Sequence, residues 1–364
     1  MIIQDVIQLL EDFAPTYYAE NFDNVGLLVG NTTTKVSGIL ICHDTLEAVV
    51  EEAIEKNCNL IVSFHPIVFK GLKRFNGSSY VERVVMKAIQ HNIAIYAIHT
   101  ALDNVQHGVN DAMCTKLGLI NTQILLPKSE VLHQLVTYVP KEHAEKVKNA
   151  LFEAGAGSIG NYSECSFTKE GIGSFKGNEN SNPQLGKKEK RELVEETEIS
   201  LIFEAHLINK VISALKQAHP YEEVAYQILP TKNQNQTRGM GMYGELEKVM
   251  SEEEFLTHLK AVFGTPCIRH SALLGRPISR VAVLGGSGAF AIGAAKKVKA
   301  DAYVSADFKY HDFYQSENEL LLTDVGHYES EQYTKDILYT FLTKKITNFA
   351  IVLSKVNTNP IQYT

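Results

Sequence analysis

Histidines and carboxylates stand where four apolar runs end. LIVSFHP places His65 directly after one run and before Pro66, which favours an extended backbone at His65. IAIYAIHTALD brings His99 and Asp103 after the next. AYVSADFKYHD carries Asp307, Tyr310, His311 and Asp312, and LLLTDVGHYESE carries Asp324, His327, Glu329 and Glu331. Imidazole with carboxylate is the donor set of Zn, Mn, Fe or Ni rather than of Ca or Mg alone. A bridging carboxylate permits a two-metal site with about 3.5–4 Å between the ions. Such ions acidify water and polarise a carbonyl, imine or phosphoryl group. His327 and Glu331 are four apart, and a helix opened by Gly326 puts both on one face. A lone His-Pro or His-x-x-x-Glu arises by chance; four such clusters at strand exits carry more weight.

The elements that must position these groups alternate between helix and strand. Ile2, Val6, Ile7, Leu10 and Phe13 give a helical face that Pro15 ends. VSGILICHD (36–44), CNLIVSFHP (58–66) and NIAIYAIHTALD (92–103) read as strands. Helical stretches, TLEAVVEEAIEKN and residues 80–91, separate them. This predicts βαβ units and a largely parallel sheet, whose functional crevice lies beyond the carboxyl ends of the strands. From about residue 132 the order changes to strand, helix KEHAEKVKNALFEAG, turn-rich stretch, helix INKVISALKQAHP and strand YEEVAYQILP, an α+β module. After QNQTRGMGMYG (234–244), read as a Gly-bearing linker, the alternation returns. The expected architecture is a split α/β domain with a mainly parallel sheet (1–130 and 245–364) holding an inserted α+β ferredoxin-like domain (131–244).

Composition narrows the class. The 364 residues are 45% hydrophobic and 21% charged, as in an ordinary globular protein. No apolar run approaches the roughly 18 residues of a spanning helix. The N-terminus lacks a basic leader and a cleavage site, so no signal peptide is expected. Five cysteines without paired spacing fit a reduced, cytoplasmic protein. A net charge of -7 argues against non-specific binding to nucleic acid or anionic lipid.

Four segments taken together resemble the Nif-three-like family, whose members often carry the name GTP cyclohydrolase I type 2 homologue. They are ENFDNVGLLVG (20–30), NLIVSFHPIVFKGLKRF (59–75), AIHTALDNVQHGVND (97–111), and ADFKYHDF with DVGHYESE. The resemblance implies a two-metal cluster beyond the sheet, with His65, Asp103, His327 and Glu331 as ligands and Asp103 or Glu331 shared. It implies one or two divalent ions per chain, a PII/CutA-like inserted domain, and a hexameric ring with sites facing an internal cavity. The family usually shows two adjacent histidines before the Pro. Here the first is Phe64, which cannot coordinate. One site is therefore expected to be weaker, differently completed or empty, with His99 or His311 as substitutes. Ala306 stands before Asp307 where many members have Gly, a change that stiffens the loop.

Other motifs have blander readings. GAGSIG (155–160) follows a helix, so its glycines end that helix instead of binding a dinucleotide. VLGGSGAFAIGAAKK (283–297) is a strand–turn–helix whose N–H groups could hold an anion. HPYEEVAY, with His219, Glu222 and Glu223, reads as a turn and strand, and Cys42 as a buried thiol. Asp23 and Asn24 either approach the crevice or turn the chain. The expected function is a metal-dependent hydrolase on a nucleotide-like or heterocyclic small molecule, with His99 or His311 transferring protons. The alternative is a non-catalytic regulatory or binding ring with a structural or sensed metal.

Overall fold

The N-terminal apolar spacing folds into the helix Ile3–Phe13, which buries Ile3, Val6 and Leu10. In this computed structural model residues 1–129, 131–235 and 237–364 are described. The expected boundary residue 130, and residue 236 of the expected linker, lie outside them. The chain divides into two units, Met1–Pro127 with Gln236–Thr364, and Lys128–Asn235. No helix of the described residues is long and apolar enough to cross a membrane.

The first unit opens with β1 (Gly26–Val29), β2 (Ile39–Cys42), β3 (Leu60–Ser63), β4 (Ala94–Ala97) and β5 (Leu119–Pro127). The second unit holds β6 (Leu132–Pro140), β7 (Phe167–Lys176), β8 (Arg191–Glu204) and β9 (Tyr226–Pro230). The first unit resumes with β10 (Gly239–Met250), β11 (Arg269–His270), β12 (Ile278–Ser287), β13 (Ala302–Ala306), β14 (Leu321–Asp324) and β15 (Ile351–Leu353).

The first unit contains two mixed sheets where one mainly parallel sheet was expected. Their orders are β1-β4-β3-β2-β15 and β11-β14-β13-β12-β10-β5. β4, β3, β2 and β15 run parallel, as do β12, β13 and β14; β1, β5, β10 and β11 pair antiparallel. β2, β3 and β4 are buried at every position, which is why they read as unbroken apolar runs. One face of this sheet packs Ile39, Ile41 and Val62 against Val6, Leu10 and Leu338. The other packs Leu40, Ile61 and Ile95 against Val50 and Val84 of the helices Glu47–Glu55 and Tyr80–Gln90. The second sheet is covered by Met113 and Phe255 on one face and by Ile292 and Ala295 on the other.

Residues 239–244, expected as linker, begin β10. Their glycines are demanded by close strand approach. A Cβ at Gly239 would lie 2.2 Å from the Leu126 carbonyl oxygen, and one at Gly244 2.7 Å from that of Ile120. The second unit has the order βαββαβ, with an antiparallel sheet β7-β8-β6-β9 and helices Ala144–Glu153 and Ile208–Ala218. Leu135, Val139, Val147, Leu151, Leu201 and Leu215 form its core.

Candidate metal centre

Strand register brings the first group of side chains together. Cys42 pairs with Ser63, and Ser63 with Ala97. The ladder runs on past the strand ends: the His65 N–H donates to the His43 carbonyl, and the His99 N–H to the Phe64 carbonyl, both at 2.9 Å. His43, Phe64, His65 and His99 thus leave parallel strands side by side. From the second sheet, β13 delivers Asp307 in a left-handed conformation (φ 57°) that a short polar side chain tolerates. β14 leads through Gly326 into the helix His327–Glu331, whose single turn points His327 and Glu331 the same way.

Glu331 Oε2 is the focus. His327 Nε2 lies 3.1 Å from it, His65 Nε2 3.3 Å and His43 Nε2 3.7 Å. The His327 and His65 approaches lack hydrogen-bond alignment and the His43 approach is too long, so this buried oxygen has no hydrogen-bond partner among the described residues. Each ring is held from behind. Asp44 Oδ1 lies 2.7 Å from His65 Nδ1, Asp307 Oδ2 2.7 Å from His327 Nδ1, and Thr334 Oγ1 3.1 Å from His43 Nδ1. The Thr358 hydroxyl donates to Asp44, and the Ser287 hydroxyl to Asp307 at 2.6 Å. Carboxylates that fix imidazoles through the far nitrogen are the outer layer of metal sites.

The donor spacing fits an ion. Four ligands at about 2.0–2.1 Å in a tetrahedron stand about 3.3 Å from one another. His65, His327 and Glu331 offer ligand atoms that close together. Electrostatics agree. Burial opposes charge on His65, but Asp44 and Glu331 outweigh it and hold the ring at about 9. Burial opposes charge on His327 likewise, and Asp307 and Glu331 raise it to about 11. Burial also works against the Glu331 carboxylate, which His327 and His65 keep well below the usual range. Asp103 goes the other way: burial first, then the Glu331 charge, push its carboxyl well above the usual range. A divalent cation between these carboxylates would remove that conflict.

The other expected residues divide. His99 and Asp103 lie one turn apart on the helix His99–Asp103, not on the strand itself. His99 Nδ1 is 2.8 Å from Asp23 Oδ1, and its ring centroid is 5.0 Å from that of His65. Asp23 also accepts from the Thr100 N–H at 3.1 Å and from the Thr100 hydroxyl. Asp23 of FDN therefore stands beside His99 at the crevice, whereas the Asn24 amide donates to the Val68 carbonyl. His311 is exposed, its ring against Tyr310 and Tyr314, and it is not among the groups gathered at Glu331. Phe64 is fully buried, with His43 and His99 centroids 5.4 and 5.5 Å away.

His43 and Asp44 were missed as site residues. The signal was present, since ICHD has the same apolar-run-then-chelator form as the other exits.

Several alternatives fall on geometry. The Gly285 N–H donates to Asn110 Oδ1 at 3.1 Å, on the helix Val109–Leu117, and the Gly286 N–H to Ser330 Oγ at 2.9 Å, on the Glu331 helix, so these two N–H groups of the glycine turn are engaged and not open to an anion. Both ring nitrogens of His219 are engaged, by the Tyr138 carbonyl at 3.0 Å and the Tyr221 N–H at 3.1 Å. Burial pushes the Cys42 thiol up to about 12, which leaves it inert as a ligand. Gly155, at φ 98°, turns the chain after the helix Ala144–Glu153.

The chain is similar to known proteins over almost its whole length. The profile of Duf34/NIF3 (NGG1p interacting factor 3) matches residues 1–360. The chain is 39% identical over 365 residues to the GTP cyclohydrolase 1 type 2 homolog of Halalkalibacterium halodurans, covering 99% of this chain and 98% of that protein. It is 37% identical over 370 residues to the homolog of the same name from Bacillus subtilis, with the same coverage of 99% and 98%. The crystal structure of a Bacillus cereus protein related to NIF3 superposes with a TM-score of 0.89 at 37% identity, covering 100% of this chain and 99% of that one. The chain therefore belongs to the Duf34/NIF3 family.

Proposed function

We propose that this chain is a divalent-metal-dependent hydrolase acting on a nucleotide-like or heterocyclic small molecule. The observation that carries the reading is Glu331 Oε2, buried and without a hydrogen bond, with three imidazole nitrogens within 3.7 Å. His65, Asp103, His327 and Glu331 would hold the metal, and the donor set suits Zn, Mn or Fe. When bound, the metal would supply Lewis acidity, acidifying water and polarising an acceptor oxygen. Asp23 fixes the His99 ring through Nδ1, which leaves Nε2 as the nitrogen that takes or gives a proton beside the cluster. Asp44 and Asp307 keep the two ligand rings aimed.

The surroundings support a flat, heterocyclic substrate. Phe22 and Phe69 are 65% and 44% exposed, with ring centroids 6.4 Å apart. Phe69 stands 6.5 Å from the His99 ring. Exposed aromatic faces beside polar groups stack on heterocycles. A cavity of about 390 Å³ opens at His65, lined also by Asp44, Thr45, Ile67, Tyr80 and Thr358. The names of the relatives make a guanine nucleotide the first compound to assay. Turnover by metal-loaded protein is expected to vanish with chelator and in Glu331→Gln. Phe69→Ala is expected to raise KM with unchanged metal content. Absence of turnover on nucleotides, phosphoesters and cyclic amides would remove the enzymatic reading.

The second reading is a non-catalytic regulatory ring. It draws on the second unit, taken as PII/CutA-like, which has its own cleft of about 380 Å³ lined by Phe175, Glu196 and Tyr221. An effector there would be sensed and a homohexamer would frame the metal sites. Light scattering that finds a monomer would remove the ring. Five unpaired cysteines support placement in the reducing cytoplasm.

A further inference from the structure

We propose that His43 is a metal ligand in this chain, binding through Nε2 an ion held together with Asp103 and Glu331, in place of the histidine that Phe64 displaces. The proposal rests on the metal-binding reading above and names a ligand outside the set that the family resemblance supplies. Five buried side-chain atoms among the described residues lack any hydrogen-bond partner, and three of them belong to His43 (Nε2), Asp103 (Oδ1) and Glu331 (Oε2), where both His43 and Asp103 lie close enough to feel the Glu331 charge. Their residues are 2%, 6% and 3% exposed. Buried polar groups are bonded in the great majority of cases, and an orphaned one is destabilising. One nitrogen and two carboxylate oxygens are the donors that a divalent ion takes.

The ring is built for this. Thr334 Oγ1 occupies Nδ1 at 3.1 Å, which leaves Nε2 to face Glu331 Oε2 at 3.7 Å. That gap is too long for a hydrogen bond and suits two atoms on one ion. His43 groups with Asp44 and His65, and His65 with His327 and Glu331, so two donor groups that share His65 adjoin one another here. Phe64 lies one residue along the register, its ring stacked 5.4 Å from that of His43. The apolar Phe64 ring thus closes the space beside an imidazole that comes from the neighbouring strand. The ligand has moved from the exit of β3 to the exit of β2.

Zinc per chain measured by elemental analysis tests this. Full-length protein is stripped with chelator, reloaded with Zn²⁺ and desalted. His43→Leu is expected to hold one zinc per chain fewer than the wild type. An equal melting temperature of the two proteins in chelator shows that the variant is folded; if the leucine variant does not fold, His43→Asn replaces it. A His43 variant that keeps the wild-type zinc count overturns the proposal and leaves the metal-binding reading intact. A wild type that holds no zinc, manganese or iron overturns both.

Discussion

Glu331 binds the centre together because, among the described residues, it is the one carboxylate that two imidazoles approach within 3.3 Å while it stays buried. Its neighbours act through orientation. Asp307→Asn removes the anionic partner of His327 Nδ1 and is expected to weaken zinc binding about 10–100-fold; competition against a fluorescent chelator measures it. His65 gives a pH signature. With its folded pKa at about 9 against the usual 6.5, it contributes stability that is full below pH 6.5 and is lost as pH rises through about 9. The melting temperature of chelated protein should therefore fall across that window, and Asp44→Asn should flatten the fall. A flat wild-type profile would contradict this assignment. Phe64 adds a rescue: Phe64→His in the His43→Leu background is expected to restore the lost zinc, because the two rings are stacked neighbours.

Among the elements, the turn between β12 and the helix Ile292–Lys297 matters through its glycines. Gly286 has φ 67°, and a Cβ there would sit 2.3 Å from Glu331 Oε1 and 3.3 Å from His327 Cε1. Gly286→Ala is expected to cost about 1–2 kcal/mol for the left-handed backbone alone. It should also displace the Glu331 carboxylate, so zinc affinity should fall further than in a substitution that only lowers stability. Urea unfolding and a zinc titration separate the two effects. The helix His99–Asp103 has a similar burden. His99 has φ 25°, rarely adopted by a residue with a side chain, and the Asp23 carboxylate holds it through ring and neighbouring backbone.

In the whole molecule, the two pieces of the first unit are joined by pairing, not only by the residues between them. Pro127 of β5 stands opposite Gly239 of β10 in an antiparallel register. Such ends accept a short hairpin connection. Replacing residues 128–235 by a two-residue to five-residue turn is expected to give a soluble protein with unchanged zinc per chain. The second unit, with its own buried core, is expected to fold when expressed alone. Loss of zinc from the shortened protein, with retained circular dichroism, would show that the second unit contributes to the site.

Much of this was legible locally. Periodicity marked the helix Ile3–Phe13, and unbroken apolar runs marked β2, β3 and β4, because burial on both faces leaves no alternation. The glycines of β10 misled, since a residue that allows close strand approach looks the same in sequence as one that frees a linker. By itself the sequence determined which strands end in chelating residues, and with that the type of chemistry. Only the tertiary structure decided that two sheets, not one, aim their strand ends at a common point. It alone set His311 apart from the cluster and brought His43 into it. Donor identity is a property of single residues, whereas coordination needs atoms within a few ångströms, and that distance is set by register and packing across more than 280 residues from His43 to Glu331.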